Sequence, residues 1–334
     1  MTPADLLGAA MLAALSLYAL MGGADFGGGI WDLLAGGPRR AEQRALVERA
    51  IGPIWEANHV WLVLVVVLLF TGFPLAFAAI STALFAPLTL LLVGIVLRGA
   101  AFTFRAYDRP DDRVQARWGL AFSVSSAAAP LLLGVVVGGI ASGRALPGGE
   151  GSGALSWLSP FTAAVGLFAA ALFAFLAATY LAVEAEGVLR EDYRRRALYA
   201  GLAVLACAVL CAALSATEAP EVFAGLTRRP FTAPLHLCTG VAAVTALAAL
   251  RRGRVRLARA AAAVQVALIV LGWGVSQYPY LLAPGLTLAE AAAPRATLTA
   301  VLWALAAGAV LLFPALYLLF RVFKGERPFA VIDR

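Results

Sequence analysis

Long apolar runs separated by short polar segments make up most of the chain. Several runs reach about 18 residues, the length that crosses the hydrocarbon of a bilayer as an α-helix. The pattern predicts an all-α polytopic membrane protein, with about nine transmembrane helices packed as bundles in a single domain over residues 1–334. The predicted helices lie at about residues 5–25, 54–74, 80–104, 119–140, 158–184, 197–217, 232–250, 258–280 and 297–322. An amphipathic segment at 40–52 predicts a short interfacial helix.

Composition supports a membrane environment. Residues of the hydrophobic class make up 62% of the chain and charged residues 13%, whereas soluble domains have about 45–50% and about 25%. The net charge of +7 comes from clusters of basic residues between the apolar runs. Such clusters are typical of topological anchors, so no nucleic-acid partner is predicted.

The basic residues predict an orientation. Of the 26 Lys and Arg residues, 21 fall in the segments after the first, third, fifth and seventh predicted helices and in the C-terminal tail. Four fall in the alternate loops, and Arg98 lies within the third predicted helix. The positive-inside rule therefore predicts a periplasmic N-terminus and a cytoplasmic C-terminus.

Ionisable residues inside predicted spans point to function, because charge in hydrocarbon is costly. Asp25 lies in a glycine-rich stretch, Glu56 opens the second predicted helix together with Asn58 and His59, and Arg98 lies in the third. We expect Arg98 to face the bundle interior and to pair with a carboxylate, either Asp25 or Glu56.

Simpler interpretations stay open for each position. Asp25 is a solvated interfacial acid if the first helix ends early. Glu56 has the place of an acid that complements a helix dipole, with Trp55 and Trp61 as interfacial anchors. Arg98 can extend its guanidinium to the lipid headgroups.

The residues predict no metal or cofactor bound by this chain. His59 and His236 are the only histidines and lie near opposite ends of their predicted helices, so they cannot share one metal ion. The three cysteines, Cys207, Cys211 and Cys238, lie in apolar segments without a CxxC pair.

Taken together, these residues resemble subunit II of cytochrome bd-type quinol oxidases. The block 52–62, with its tryptophans, acid and asparagine, is the most specific match. The other matching positions follow the family order over nearly the whole chain: 23–29, 73–74, 98–99, Phe102, Arg105, 278–280, Pro314, Tyr317 and 323–325.

The resemblance implies a non-haem subunit of the bacterial inner membrane that forms a heterodimer with a haem-bearing subunit I. Quinol oxidation, reduction of O2 to water, haem b and haem d are then expected on that partner. This chain is expected to carry cytoplasmic protons through Glu56 and Asp25, with Arg98 as charge partner. The expected supporting residues are Trp55, Asn58, His59 and Trp61.

Two departures from the family pattern fall on the expected proton uptake route. Gly22 and Thr103 stand where many relatives have acids. A structural quinone is known in the family, but no residue here marks its pocket, and a small accessory subunit also stays open.

Two other functions remain open. A proton-coupled secondary transporter would show helices broken near the membrane midplane and repeat symmetry. A purely structural scaffold for subunit I would use its polar residues for assembly alone.

Overall fold

The computed structural model describes residues 2–51, 55–107, 112–146 and 155–324. The helices are α1 (Pro3–Leu33), α2 (Arg40–Ile51), α3 (Trp55–Gly72), α4 (Pro74–Ala83), α5 (Phe85–Tyr107), α6 (Asp112–Ala141), α7 (Pro160–Glu184), α8 (Gly187–Glu218), α9 (Pro220–Thr227), α10 (Thr232–Arg251), α11 (Val255–Gln277), α12 (Leu288–Ala291) and α13 (Arg295–Lys324). Two short antiparallel strands, β1 (Tyr280–Leu282) and β2 (Leu286–Thr287), form a hairpin before α12.

Eight helices in the described ranges are long and apolar enough to cross a membrane. The number reaches nine if the bent pair Asn58–Gly72 and Pro74–Ala83 counts as one span. The predicted all-α polytopic membrane fold is therefore confirmed, whereas the orientation of the termini stays a prediction.

Helix α1 lies at the centre of the bundle and packs against α3, α6, α7 and α11. It begins with a capping box, in which the Thr2 hydroxyl accepts from Asp5 N and the Asp5 carboxylate accepts from Thr2 N. The helix continues to Leu33, eight residues beyond the predicted end at 25. Asp25 consequently lies inside a continuous helix.

The glycines of α1 let neighbouring helices approach closely without breaking the helix. A Cβ at Gly27 would collide with the backbone carbonyl of Phe173 on α7, and a Cβ at Gly29 would collide with the Ser126 side chain on α6. The glycine-rich stretch is therefore a helix contact surface within a continuous α1.

We expect Gly27→Ala to lower the stability of the assembled protein. Alanine gains about 1 kcal/mol of helix propensity over glycine, but the collision with the Phe173 backbone forces α1 and α7 apart, and overpacking costs about 1–3 kcal/mol. The thermal midpoint of the purified complex measures the net effect. Gly240→Ala is the matched control, because no atom lies within 4 Å of a Cβ there. Equal midpoints for the two variants would contradict the proposed packing.

Several arginine-rich segments meet at one end of the bundle, which we call the Arg-rich end. Arg39 Nη2 lies 2.7 Å from Asp192 Oδ2 at the start of α8, and Arg194 Nη1 donates to Leu250 O at the end of α10 at 2.7 Å. The segments after the first, fifth and seventh predicted helices therefore share one side, as the charge alternation requires.

The interfacial helix predicted at 40–52 corresponds to α2. Leu46 and Val47 are buried in the main core. The Gln43 side chain, which is 4% exposed, accepts a hydrogen bond from Arg196 Nη2 at 2.8 Å. Both apolar and polar contacts therefore hold α2 against the Arg-rich end of the bundle.

The opposite end of the bundle departs from the helix pattern that the sequence predicts. Helices α3 and α4 meet at a 117° bend, because Pro74 lacks an N–H group and disfavours helical geometry at Phe73. The third span consequently begins at Phe85 instead of about 80. Similarly, α11 ends at Gln277, and the β1–β2 hairpin begins where the predicted eighth helix was still helical.

Candidate functional site

A buried ion pair joins α1 to α5. Arg98 Nη2 lies 2.5 Å from Asp25 Oδ1, and the two side chains are 1% and 2% exposed. Asp25, one of the two carboxylates considered as partners of Arg98, is therefore in contact with it, and the side chain of the other, Glu56, lies outside the described residues. Neither side chain of the pair reaches the surface, which is inconsistent with a solvated Asp25 or a snorkelling Arg98.

The rest of the Arg98 guanidinium is also held. Arg98 Nε donates to Ser126 Oγ on α6 at 3.0 Å. The ring centroids of Phe26 and Phe122 lie 4.8 and 5.1 Å from Arg98 Cζ. Hydrogen bonds, an opposite charge and two aromatic faces together offset the desolvation of a cation in hydrocarbon.

Polar groups from α1 and α3 complete this site, which we call the Arg98 cluster. Its members are Tyr18, Asp25, Asn58, His59, Arg98 and Ser126. The His59 ring lies 6.4 Å from that of Tyr18 and 5.8 Å from that of Phe26, measured between centroids. The Asn58 side chain, 1% exposed, lies beside the Asp25 carboxylate.

Three oxygens of the cluster make no hydrogen bond of good geometry to any described residue. They are Tyr18 Oη, Asp25 Oδ2 and Asn58 Oδ1. Buried polar groups of this kind are usually satisfied by ordered water or by a binding partner. The cluster can therefore hold a carboxylate with one oxygen fixed by Arg98 and the other available to a proton.

The remaining predicted site residues divide into two groups. The side chains of Trp55 and Glu56 lie outside the described residues, although both belong to the backbone of α3. Trp61 is 4% exposed, and its Nε1 lies 3.2 Å from Met21 Sδ. Trp61 thereby packs α3 on α1.

A second buried carboxylate lies further along α1. Asp32 is 0% exposed, accepts a hydrogen bond from Ser123 Oγ at 2.5 Å and lies 3.8 Å from Arg44 Nε. The sequence did not mark Ser123 or Ser126 as site residues. The signal that could have found them is their spacing of three residues, which places both hydroxyls on one face of α6.

A metal site was sought among the side chains of the described residues. No group of three or more His, Cys, Asp or Glu side chains is arranged there to hold a metal ion. His59 lies among aromatic rings inside the bundle, and His236 is exposed on α10.

Comparison with known proteins identifies the family. The family model described as cytochrome bd terminal oxidase subunit II matches residues 4–323. The chain belongs to this family. Subunit II membership implies a complex with subunit I, and it places the chain in the membrane as part of an oxidoreductase.

Relatives of this subunit II support the assignment at low sequence identity. A putative cytochrome bd menaquinol oxidase subunit II from Bacillus subtilis is 24% identical over 326 residues, which cover 93% of this chain and 92% of that protein. The cytochrome bd-I ubiquinol oxidase subunit 2 of Escherichia coli K12 is 26% identical over 199 residues. That match covers 58% of this chain and about half, 52%, of the relative.

The fold matches a solved oxidase structure as well. A chain of the bd oxidase from Geobacillus thermodenitrificans superposes with a TM-score of 0.81 at 24% identity, covering 98% of this subunit and 100% of that chain. The resemblance seen in the sequence is therefore confirmed, and the relatives named as quinol oxidases agree with the predicted subunit of a quinol:oxygen oxidoreductase.

Proposed function

We propose that this subunit II carries cytoplasmic protons towards the oxygen-reducing site of a haem-bearing subunit I in the bacterial inner membrane. Forming water from oxygen consumes protons, and a site surrounded by hydrocarbon needs a chain of polar groups to receive them. In this proposal the Arg-rich end faces the cytoplasm, so the N-terminus is periplasmic and the C-terminus cytoplasmic.

The observation that carries the proposal is the buried Asp25–Arg98 pair, whose second carboxylate oxygen, Asp25 Oδ2, makes no hydrogen bond of good geometry to a described residue. A membrane protein rarely buries an ionisable pair without a functional reason, because assembly alone is served as well by apolar contacts. Arg98 fixes Asp25 Oδ1, which leaves Oδ2 facing the neighbouring polar groups. Asp25 is the proposed proton carrier, and Arg98 is the positioning residue.

Glu56 is the second proposed carrier. On α3 it precedes Asn58 by two residues and His59 by three, and residues three apart share a helix face. Because Asn58 and His59 belong to the Arg98 cluster, the Glu56 position lies within one helical turn of it. A carboxylate there extends the row of proton-binding groups along α3.

The partner is expected to lie against α3 and α5. Both helices flank the Arg98 cluster, and α1 and α6 close its other sides. Large apolar residues point outward from these two helices, which leaves them to lipid or to subunit I: Val63, Val66, Phe70, Leu92, Val93 and Val96. Haem b and haem d on subunit I would supply the electrons and bind the oxygen.

We expect Glu56→Gln to depress oxygen consumption with quinol while the complex still assembles. Glutamine keeps the size and hydrogen-bonding capacity of the side chain but cannot carry a proton. Loss of a positioned proton-transfer group slows the step on the order of 10²-fold. Oxygen consumption per haem in the purified complex measures this effect, and its haem spectrum reports assembly.

Glu186→Gln is the matched control, since Glu186 is an exposed acid just before α8 at the Arg-rich end. It should leave turnover unchanged. Full turnover of Glu56→Gln would remove the proton-carrier role of Glu56.

A secondary transporter is disfavoured by the shape of the helices. Transport by alternating access typically uses helices broken near the membrane midplane. In the described ranges α1 is continuous through its glycines, and the bend between α3 and α4 comes only after the 18 residues of α3.

A further inference from the structure

Asp32 is a buried carboxylate that does not belong to the Arg98 cluster. It is fully buried, although it lies only one residue before the end of α1. Arg44 on α2, whose side chain is 25% exposed, lies 3.8 Å from Asp32, measured from Nε to Oδ1. Asp32 therefore contacts a side chain that reaches the solvent at the Arg-rich end.

Asp32 lies between that end and the Arg98 cluster. It follows Asp25 by seven residues, so both carboxylates project from one face of α1 at about 10 Å along the axis. A proton bound at Asp32 would already have entered the bundle from the Arg-rich end. It would then have to cover the distance from Asp32 to Asp25.

Helix α6 spans the same interval with two hydroxyl groups. Ser123 Oγ contacts Asp32, and Ser126 Oγ contacts Arg98. Both serines are 0% exposed. Gly29, which lies between the two acids on α1, lets the backbone approach Ser126. The seam between α1 and α6 therefore carries one serine hydroxyl beside Asp32 and another beside the Arg98 partner of Asp25.

Ser123 has the geometry of a relay. Its single hydroxyl proton has two acceptors in reach, Asp32 Oδ2 at 2.5 Å and Gly119 O at 2.8 Å. The hydroxyl can donate to Asp32 when that carboxylate is ionised. When Asp32 is protonated, Ser123 Oγ can accept that proton and release its own hydroxyl proton to the next oxygen of the route, and the bond to Gly119 O is the resting alternative.

We propose that Asp32 and Ser123 form the uptake segment of the proton route, through which protons from the Arg-rich end reach Asp25. This inference rests on the proposed function. A hydronium ion beside Arg44 transfers a proton to the Asp32 carboxylate and becomes a water molecule. The proton then passes to Asp25 through the Ser123 hydroxyl and water between the two serines. The hydronium oxygen loses one O–H bond, each intermediate oxygen gains one and loses one, the Asp25 carboxylate gains one, and no electrons move.

A structural role for Asp32 is the competing explanation, since its contacts with Arg44 and Ser123 also tie α2 to α6. However, α2 is fastened without Asp32. Arg39 pairs with Asp192, and Arg196 bonds Gln43. The Tyr193 hydroxyl also lies 3.4 Å from Gln43 O. Removing the charge of Asp32 should therefore leave α2 in place.

The test compares Asp32→Asn with Asp192→Asn in the intact complex reconstituted in vesicles. After oxygen is mixed with the fully reduced complex, the voltage generated by proton uptake is followed together with haem oxidation. Asp32→Asn should slow the uptake phase and steady turnover per haem by at least about tenfold, with oxygen binding unchanged. Asp32→Glu should retain most of the rate. Asp192→Asn, which removes the surface ion pair, should behave as the parent protein.

The outcomes separate this inference from the proposed function. Slow uptake in Asp25→Asn combined with normal uptake in Asp32→Asn would leave the function standing and overturn the uptake segment. Normal uptake in both would overturn both. If Asp32→Asn does not assemble, Ser123→Ala decides, because it removes the relay hydroxyl and keeps both charges. Normal uptake in Ser123→Ala would then overturn the uptake segment, whereas slow uptake restored by Ser123→Thr would support it.

Discussion

Arg98→Met is expected to reduce the amount of assembled complex in the membrane more strongly than any other single substitution considered above. Methionine keeps an unbranched side chain next to the Phe26 and Phe122 rings, but it leaves the Asp25 carboxylate buried without its cation. Removing one member of a buried ion pair costs about 3–5 kcal/mol, which is a large part of the stability of a typical domain. The complex recovered per cell and its thermal midpoint measure the loss.

The double variant Asp25→Leu with Arg98→Met distinguishes a buried-charge penalty from a loss of shape. Apolar replacement of both partners of a buried pair is often neutral or stabilising, so the double variant should assemble better than Arg98→Met. It should nevertheless show little oxygen consumption, because the proposed proton carrier is absent.

Arg144→Met is the matched control, since Arg144 pairs with Glu218 at 3.7 Å where both side chains are more than a fifth exposed. A pair of that kind contributes little to stability. If Arg98→Met assembled as well as Arg144→Met, the buried pair would not be a determinant of assembly.

The contact between Arg98 and Asp25 shows which part of the site could be predicted from the sequence. A guanidinium within an apolar run requires a carboxylate, and only two candidates lie at a similar predicted depth. The choice between them depends on how α1 and α5 pack across α6. That packing is determined by contacts such as Gly29 with Ser126, which involve residues far apart in the chain and leave no local pattern.

The role of Asp32 was harder to predict because its neighbours are ordinary residues. The seven-residue spacing to Asp25 places both acids on one face of α1, but a helix that ended near 25 would have put Asp32 in a loop. Ser123 and Ser126 look like the small residues common in membrane helix contacts. Their chemistry becomes visible only when α6 lies against α1.

The fold followed from hydrophobic periodicity and charge wherever the chain crosses the membrane. Spans require long apolar runs, and the arginine clusters mark one side, so the helix order could be predicted. The short elements at the opposite end could not. The bend after Gly72 depends on Pro74, and the β1–β2 hairpin interrupts a run whose apolar residues also suit a helix.

Asp25→Asn is expected to lower turnover per haem on the order of 10²-fold while much of the complex still assembles. Asparagine presents a carbonyl oxygen to Arg98, and Ser126 and the two aromatic rings still surround the guanidinium. Each variant leaves one buried charge without its counter-ion. The Arg98 cation left in Asp25→Asn is better accommodated than the Asp25 anion left in Arg98→Met. Asparagine cannot carry a proton, so the loss should fall on proton delivery. Oxygen consumption by the purified complex, normalised to haem, measures it.

Asp5→Asn provides the control on the same helix, because Asp5 lies in the first turn of α1 and caps Thr2 far from the cluster. Its turnover should match that of the parent protein. Asp25→Glu should recover part of the activity, because it restores an ionisable group. The recovery should be incomplete, because the extra methylene displaces the carboxylate from Arg98. A structural role for Asp25 predicts a different result: Asp25→Asn would then lower the amount of complex but not the turnover of each assembled molecule.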